Sequence, residues 1–213
     1  MDISVRREER KDYRIVEEIT REAFWNLYVP GCNEHLLAHK LRMCPDFIPE
    51  LDFVAEKNGR VAGNIMFSRC SVIDVSKKRH ELIMFGPVSV LPELQRRGIG
   101  DILIRHALRA AADIGHKAVA IYGSPDYYPK FGFRNGKEFG IGNPDGRYPI
   151  ALQVLELAEG ALKSISGQLH ESSIFTELGE DELEIFDAAF PPKKKQVTPS
   201  QKHFAETSNT YLD

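Results

Sequence analysis

One stretch limits what this chain can fold into more than any other. Gln95-Arg96-Arg97-Gly98-Ile99-Gly100-Asp101 lies between a strand pattern over residues 82–90 and a helix pattern over residues 99–114. A strand that enters a helix through two glycines turns sharply. The helix then crosses back over the sheet, and residues 117–122, short and apolar, supply a parallel strand for it to reach. This dictates an α/β fold. The glycines also leave the first N–H groups of the helix uncovered, the helix terminus adds a partial positive charge, and Arg96 and Arg97 add full ones. Such a turn is a seat for a diphosphate.

Composition narrows the partners. With 213 residues and a formal net charge of -3, the chain reads as one domain with room for an appendage, and nothing global draws it to nucleic acid or an anionic membrane. Phosphate binding must therefore be local. The N-terminal residues lack the apolar stretch of a signal peptide, and no apolar run approaches the length of a membrane span. Cys32, Cys44 and Cys70 are odd in number and show no CxxC spacing, which suits inert thiols in a reduced, cytoplasmic protein.

Taken in order, Ile3 and Val5 alternate with Ser4 and Arg6 as a short strand. Asp12 is placed to cap a helix whose apolar side carries Tyr13, Val16, Ile19, Ala23, Phe24 and Leu27, broken at Pro30-Gly31. Asn33 caps a second helix with Leu36, Leu37 and Leu41 as its buried stripe. Strands over 51–57 and 60–75 are joined by Asn58-Gly59, the strongest short hairpin signal, and 81–90 returns beside them after the polar turn 76–79. These strands form an antiparallel meander that delivers the chain to the glycine turn. On the next helix Ile99, Ile102, Leu103, His106, Ala107, Ala110 and Ile114 make the expected apolar face, with His106 as a core histidine and Gly115 as the stop. Ser124-Pro125-Asp126 opens a short helix that stops at Gly132, residues 136–146 are loop, and 148–157 form the last core strand. Beyond Ala158 the pattern weakens to a helix over 180–190, stopped by Pro191-Pro192, and a turn begun by Thr198-Pro199 and anchored by Phe204. The expected division is a core over 1–157 and an extension over 158–213, partly helical and of open role.

Two common diphosphate binders do not fit. A GxxxxGK loop followed by Ser or Thr is absent. Gly98-Ile99-Gly100-Asp101-Ile102-Leu103 starts like a dinucleotide fingerprint, but Leu103 stands where its third glycine belongs, and the acidic residue expected about twenty positions later is missing from 118–123. Gln95-Arg96-Arg97-Gly98-Ile99-Gly100 instead resembles the Q/R-x-x-G-x-G/A signature of the GNAT superfamily of N-acetyltransferases. Downstream, Tyr127-Tyr128-Pro129-Lys130-Phe131-Gly132-Phe133 is similar to the aromatic-Tyr-x-x-x-Gly-Phe segment of that family, at the expected distance and after the expected strand. The order of elements from Ile3 to about Leu157 also resembles the GNAT core, a mixed central sheet flanked by helices.

The resemblance implies acetyl-coenzyme A as the cofactor. Its pyrophosphate would take hydrogen bonds from backbone amides of Arg96, Arg97, Gly98, Ile99, Gly100 and Asp101, next to Gln95. Its pantetheine arm would run along Val88, Ser89 and Val90, with the Val88 amide facing the thioester carbonyl. Ser124 and Tyr127 are counted with the cofactor-binding residues, though Tyr127 serves equally as a packed aromatic. Tyr128 holds the family's general-acid position. A tyrosine pKa near 10 against a thiol near 8.5 makes full proton transfer uphill by roughly 2 kcal/mol, so hydrogen-bond donation is the more accessible role. At the family's base position stands Met84; Glu81, at odd spacing from it on the same strand, faces the other side of the sheet, and Asp46, Glu50 and Asp52 are alternatives among which the sequence does not choose.

Other polar groups have plainer explanations. His35 and His39 share a helix face at four-residue spacing, but without the HExxH glutamate or a third ligand they read as a solvated face with no metal. Lys193-Lys194-Lys195 reads as a solvated charge run, and Lys130 and Arg134 either serve solubility or reach a phosphate. The expected function is acetyl transfer from acetyl-coenzyme A to an amine, either small-molecule or peptide, by direct attack. A non-catalytic acyl-coenzyme A-binding sensor or assembly module is the alternative on the same fold. The tail could lid the acceptor site or make a homodimer contact.

Overall fold

The computed structural model describes residues 3–213. Strands β1 (Ile3–Arg7), β2 (Phe53–Lys57), β3 (Arg60–Ile73) and β4 (Arg79–Val90) pair antiparallel in sequence order, as the meander requires. The β2–β3 turn is the expected Asn58-Gly59, with φ of 53° and 74°. Both central residues of such a turn need positive φ, which asparagine and glycine tolerate best. Helix α3 (Ile99–Asp113) then crosses over to β5 (Ala118–Tyr122), which lies parallel to β4. Beyond β5, β9 (Leu152–Glu156) pairs antiparallel with it and with the short β6 (Arg134–Asn135). The sheet is thus mixed, as expected.

Both faces of the sheet are covered, so its central strands read as continuous apolar runs. In β4, Ile83 and Phe85 point into the layer shared with Ile99, Leu103, Ile104, Ala107, Leu108 and Ala111 of α3. Leu82 and Met84 point into the opposite layer, with Val72, Ala120, Val154 and Leu169. Each buried Leu or Ile stabilises the fold by roughly 1.5–3 kcal/mol. Helices α1 (Tyr13–Phe24) and α2 (Glu34–Leu41) pack against each other and against β4 on the side away from α3. Thr20 of α1 meets Asn64 and Ser89 there in a buried hydroxyl–amide cluster, in which the Ser89 hydroxyl donates to Asn64 Oδ1.

Several expected boundaries and faces move. Helix α1 stops at Phe24, short of Leu27, because Asn26 takes a left-handed conformation and its side-chain carbonyl accepts from the Gly31 amide. The buried face of α3 is rotated from the expected one: Ile102, His106 and Ile114 are exposed, and His106 lies edge-on to Phe53 at 4.7 Å instead of in the core. After β5, Ser124–Asp126 forms a turn, and only Tyr128–Phe131 is helical, with 3-10 geometry and Gly132 as its left-handed stop. The loop over 136–146 contains β7 (Ile141–Gly142), and Tyr148–Pro149 is a separate two-residue strand, β8.

The C-terminal segment returns to the sheet. Strand β10 (Gly167–His170) pairs antiparallel with residues 71–73 of β3 and parallel with β7. Helix α4 (Glu180–Asp187) follows, then α5 (Pro199–Ser208) and β11 (Tyr211–Leu212), which pairs with β8. Arg21, 2% exposed on α1, is gripped by both carboxylate oxygens of Asp187 at 2.6 and 3.1 Å. Lys193 pairs with Glu22 at 2.7 Å, so the lysine run is tied to α1 and not wholly solvated. Phe204 does anchor its helix, stacking on Tyr28 at 4.3 Å.

Candidate active site

The site is built where the sheet opens. β4 and β5 pair only at Ile83–Val119 and Met84–Ala120. Past Met84 no strand among the described residues pairs with that edge of β4. The β3–β4 register also shifts between Ile65 and Phe67, opposite the Gly86-Pro87 stretch, where Pro87 has no N–H to contribute. Two cavities flank the parting strands.

The first, about 540 Å³, lies over the glycine turn and is lined by Val88, Val90, Gln95, Arg96, Gly98, Ile99, Gly100, Asp101 and Tyr127. Gly98 caps α3 with φ of 84°, a left-handed value that a side chain resists. A Cβ built there would meet no atom within 4 Å, so the turn's backbone faces open space. Arg96 is exposed and forms no ion pair among the described residues. Asp101 accepts from the Tyr127 hydroxyl at 2.9 Å and from Lys130 Nζ at 2.7 Å. Burial alone would push the Asp101 carboxyl up, but these two donors outweigh it and hold it below the ordinary aspartate range. The Gln95 amide donates to the Val90 carbonyl at 3.0 Å. Arg97 and Ser124 are exposed and line neither cavity.

The second cavity, about 330 Å³, lies on the tyrosine side and shares Val88, Val90 and Gln95 with the first. Ser89 and Tyr128 line it. The adjacent tyrosines thus divide between the cavities, Tyr127 to the turn side and Tyr128 to the other, with their rings edge-to-face at 5.2 Å. Tyr128 is 8% exposed, and burial, then the nearby Tyr28, pushes its hydroxyl above the ordinary tyrosine range. It therefore stays protonated near neutral pH, available as a donor.

The comparisons with known proteins bear on this geometry. Residues 50–135 match the family model of the GNAT acetyltransferase domain. The chain is 29% identical over 144 residues to YhbS of Escherichia coli K12, an uncharacterized N-acetyltransferase, across 65% of this chain and 81% of YhbS. The crystal structure of E. coli YhbS in complex with CoA superposes with a TM-score of 0.70, covering 83% of this chain and 93% of that one at 25% identity. In its fold and over residues 50–135 this chain is similar to the GNAT acetyltransferases. A GNAT acetyltransferase from Brucella melitensis, in complex with acetyl-CoA, superposes with a TM-score of 0.65 at 26% identity over 82% of this chain and 98% of its own. YjhQ of E. coli, also an uncharacterized N-acetyltransferase, is 31% identical over 85 residues, and the match spans 46% of YjhQ and 40% of this chain.

Within this GNAT fold the carboxylates stand elsewhere than the sequence indicated. Met84 does line the tyrosine cavity, but Glu81, Asp46, Glu50 and Asp52 do not. Glu81 is exposed, with Arg69 3.9 Å away, and Asp52 is buried beside Glu8 and Arg42. The two carboxylates on the cavity wall are Glu34, the first residue of α2, and Glu171, just past β10. Burial pushes the Glu34 carboxyl up to about 7, and it raises Glu171 as well.

A third group has the outline of a nucleophilic triad. Cys32 Sγ lies 3.5 Å from His35 Nδ1, and His35 Nε2 lies 3.0 Å from Asp187 Oδ1. Its chemistry is inert. Burial, then Glu34, drives the Cys32 thiol well above its ordinary range, and burial lowers His35 to about 4. Asp187 is already bound by Arg21, and His35 Nε2 is not angled to donate to it. The expected solvated face is also corrected: His35 is fully buried, and His39 Nδ1 meets Glu17 at 2.9 Å.

Proposed function

We propose that this chain is an N-acetyltransferase that binds acetyl-CoA over the glycine turn and acetylates a primary amine held in the tyrosine cavity. The supporting observation is that one stretch of backbone, Val88 to Val90, lines both cavities where β4 has lost its strand partner. The open face of Gly98, the unpaired Arg96 and the internally neutralised Asp101 suit a diphosphate. Ser89 supports the same stretch from beneath through Thr20 and Asn64.

The coenzyme supplies an activated acetyl thioester. The Val88 N–H would face the thioester carbonyl and stabilise the negative charge that develops there, a donor role worth about 2.7–4 kcal/mol. The acceptor enters as an ammonium and gives a proton to a cavity carboxylate. Its nitrogen then bonds to the carbonyl carbon and the C–S bond breaks. Tyr128 donates a hydrogen bond to the departing sulfur, which finally takes the second nitrogen proton. The products are amide, thiol and one proton passed to solvent. The free cysteines and the lack of any membrane-spanning helix among the described residues fit a cytoplasmic enzyme.

Tyr128→Phe should lower kcat by about 10²-fold or more, in the range of general acid–base contributions, while coenzyme affinity stays within a factor of about two. Steady-state assays of acetyl-CoA consumption with calorimetric binding of CoA separate the two. Tight CoA binding with no amine ever acetylated would leave a sensor or assembly module instead.

A further inference from the structure

We infer that the acceptor is a small diamine, held with one nitrogen at the thioester and a second, charged nitrogen at the far carboxylate. This rests on the acetyl-transfer reading above and adds the class of substrate.

The only charged side chains on the tyrosine cavity among the described residues are Glu34 and Glu171, and no lysine, arginine or histidine lines it. Most carboxylates of this protein that lie near its packed interior are neutralised within the chain. Asp12, Glu8, Glu17, Asp187 and Asp101 each have a basic side chain within 3.0 Å. Among the described residues Glu34 and Glu171 have none; Glu34 Oε2 accepts only the Asn33 amide at 3.1 Å. Two half-buried carboxylates in one cavity lose hydration, and no basic side chain of the described residues offsets that cost. A ligand with two positive charges removes it.

The walls agree with this charge pattern. Phe24, Tyr28, Tyr122 and Phe175 line the same cavity, and aromatic faces attract ammonium groups. A cavity of about 330 Å³ that must also admit the end of the pantetheine arm leaves space for a short aliphatic chain. The carboxylates come from separate parts of the molecule. Glu34 opens α2, and Glu171 belongs to the segment that follows β10. With one to accept the reacting amine's proton, the other is free to fix the distal cation.

Three amines of nearly equal length test this: 1,4-diaminobutane, 1-aminobutane and 4-aminobutanoate, ending in a cation, a methyl group and an anion. The full chain should acetylate the diamine with kcat/KM at least about tenfold above the monoamine, and the amino acid should be poorest. Glu34→Gln and Glu171→Gln should each cost the diamine about tenfold or more with the Kd for CoA unchanged; loss of the distal carboxylate should also narrow the diamine's lead over 1-aminobutane, while loss of the proton acceptor should slow both amines alike. The unchanged Kd certifies that each variant is folded. Equal turnover of the three amines, or a diamine preference that survives in both variants, would overturn the inference and leave acetyl transfer standing. CoA binding without turnover of any amine would instead overturn the acetyl-transfer reading beneath it.

Discussion

Tyr128 owes its position to a residue that has no side chain. A Cβ on Gly123 would stand 2.1 Å from Cε2 of the Tyr128 ring, a separation no packed carbon tolerates. Gly123→Ala must therefore push the ring aside, although position 123 needs no left-handed backbone. The expected result is a loss of kcat comparable to that of Tyr128→Phe, with CoA affinity and far-ultraviolet dichroism close to wild type. Retention of full activity would mean that the ring's position does not matter. The glycine turn at 98 and 100 was legible from local turn chemistry, whereas Tyr128 was singled out by the family resemblance. Glu34 and Glu171 were signalled by neither. One begins a short helix and the other follows a two-sided strand, and only the tertiary fold brings them to one cavity.

At the scale of elements, hydrophobic spacing located the α-helices, the meander strands, β5 and β9, but not β6, β7, β10 or β11, and not which helix face is buried. On α3 the sheet takes Ile104, Leu108 and Ala111 and leaves Ile102 and Ile114 in water. An apolar stripe wider than the contact leaves periodicity degenerate by about a third of a turn. The α1–α2–α4 junction makes a stability prediction. His35, at about 4 in the folded protein against 6.5 unfolded, is buried neutral, so the unfolded chain takes up a proton more readily. Its contribution is complete above pH 6.5 and is lost as pH falls from 6.5 toward 4, by about 3 kcal/mol at most. Asp187 is held below its ordinary value and acts only at more acidic pH. Glu34, raised to about 7, adds a slope of opposite sign over this range to both proteins. Urea denaturation from pH 7 to 4.5 should therefore show the His35 contribution as the difference in slope between the wild type and His35→Gln. Parallel slopes would place the titration elsewhere.

For the whole molecule, the segment after Leu157 is structural as well as peripheral. It covers β3 through β10, adds Leu162 and Leu169 to the core, and supplies the Asp187 that neutralises buried Arg21. Leaving a buried arginine unpaired costs about 3–5 kcal/mol by itself, and the lost strand adds to it. The sum is comparable to a typical domain's total stability of about 5–15 kcal/mol. A chain ending at Leu157 should therefore aggregate or lack a cooperative melt, as judged by size-exclusion chromatography and calorimetry. A soluble monomer with a sharp transition would show that the tail is dispensable for folding. Weak periodicity hid this role, since a four-residue strand between loops carries too few side chains to announce itself.

On the proposed function, the late positions of Glu171 and Phe175 set the order in which the site is completed. A nascent chain has every residue of the turn cavity once position 130 has been made, but the tyrosine cavity waits for positions 171 and 175. Synthesis proceeds from the N-terminus, so an interrupted chain holds the parts of a donor seat with one wall of the acceptor site missing. A thioester bound there would face water rather than an amine. On that proposal, a substrate-facing carboxylate placed after β10 makes acetyl transfer wait until residues 171 and 175 have been read.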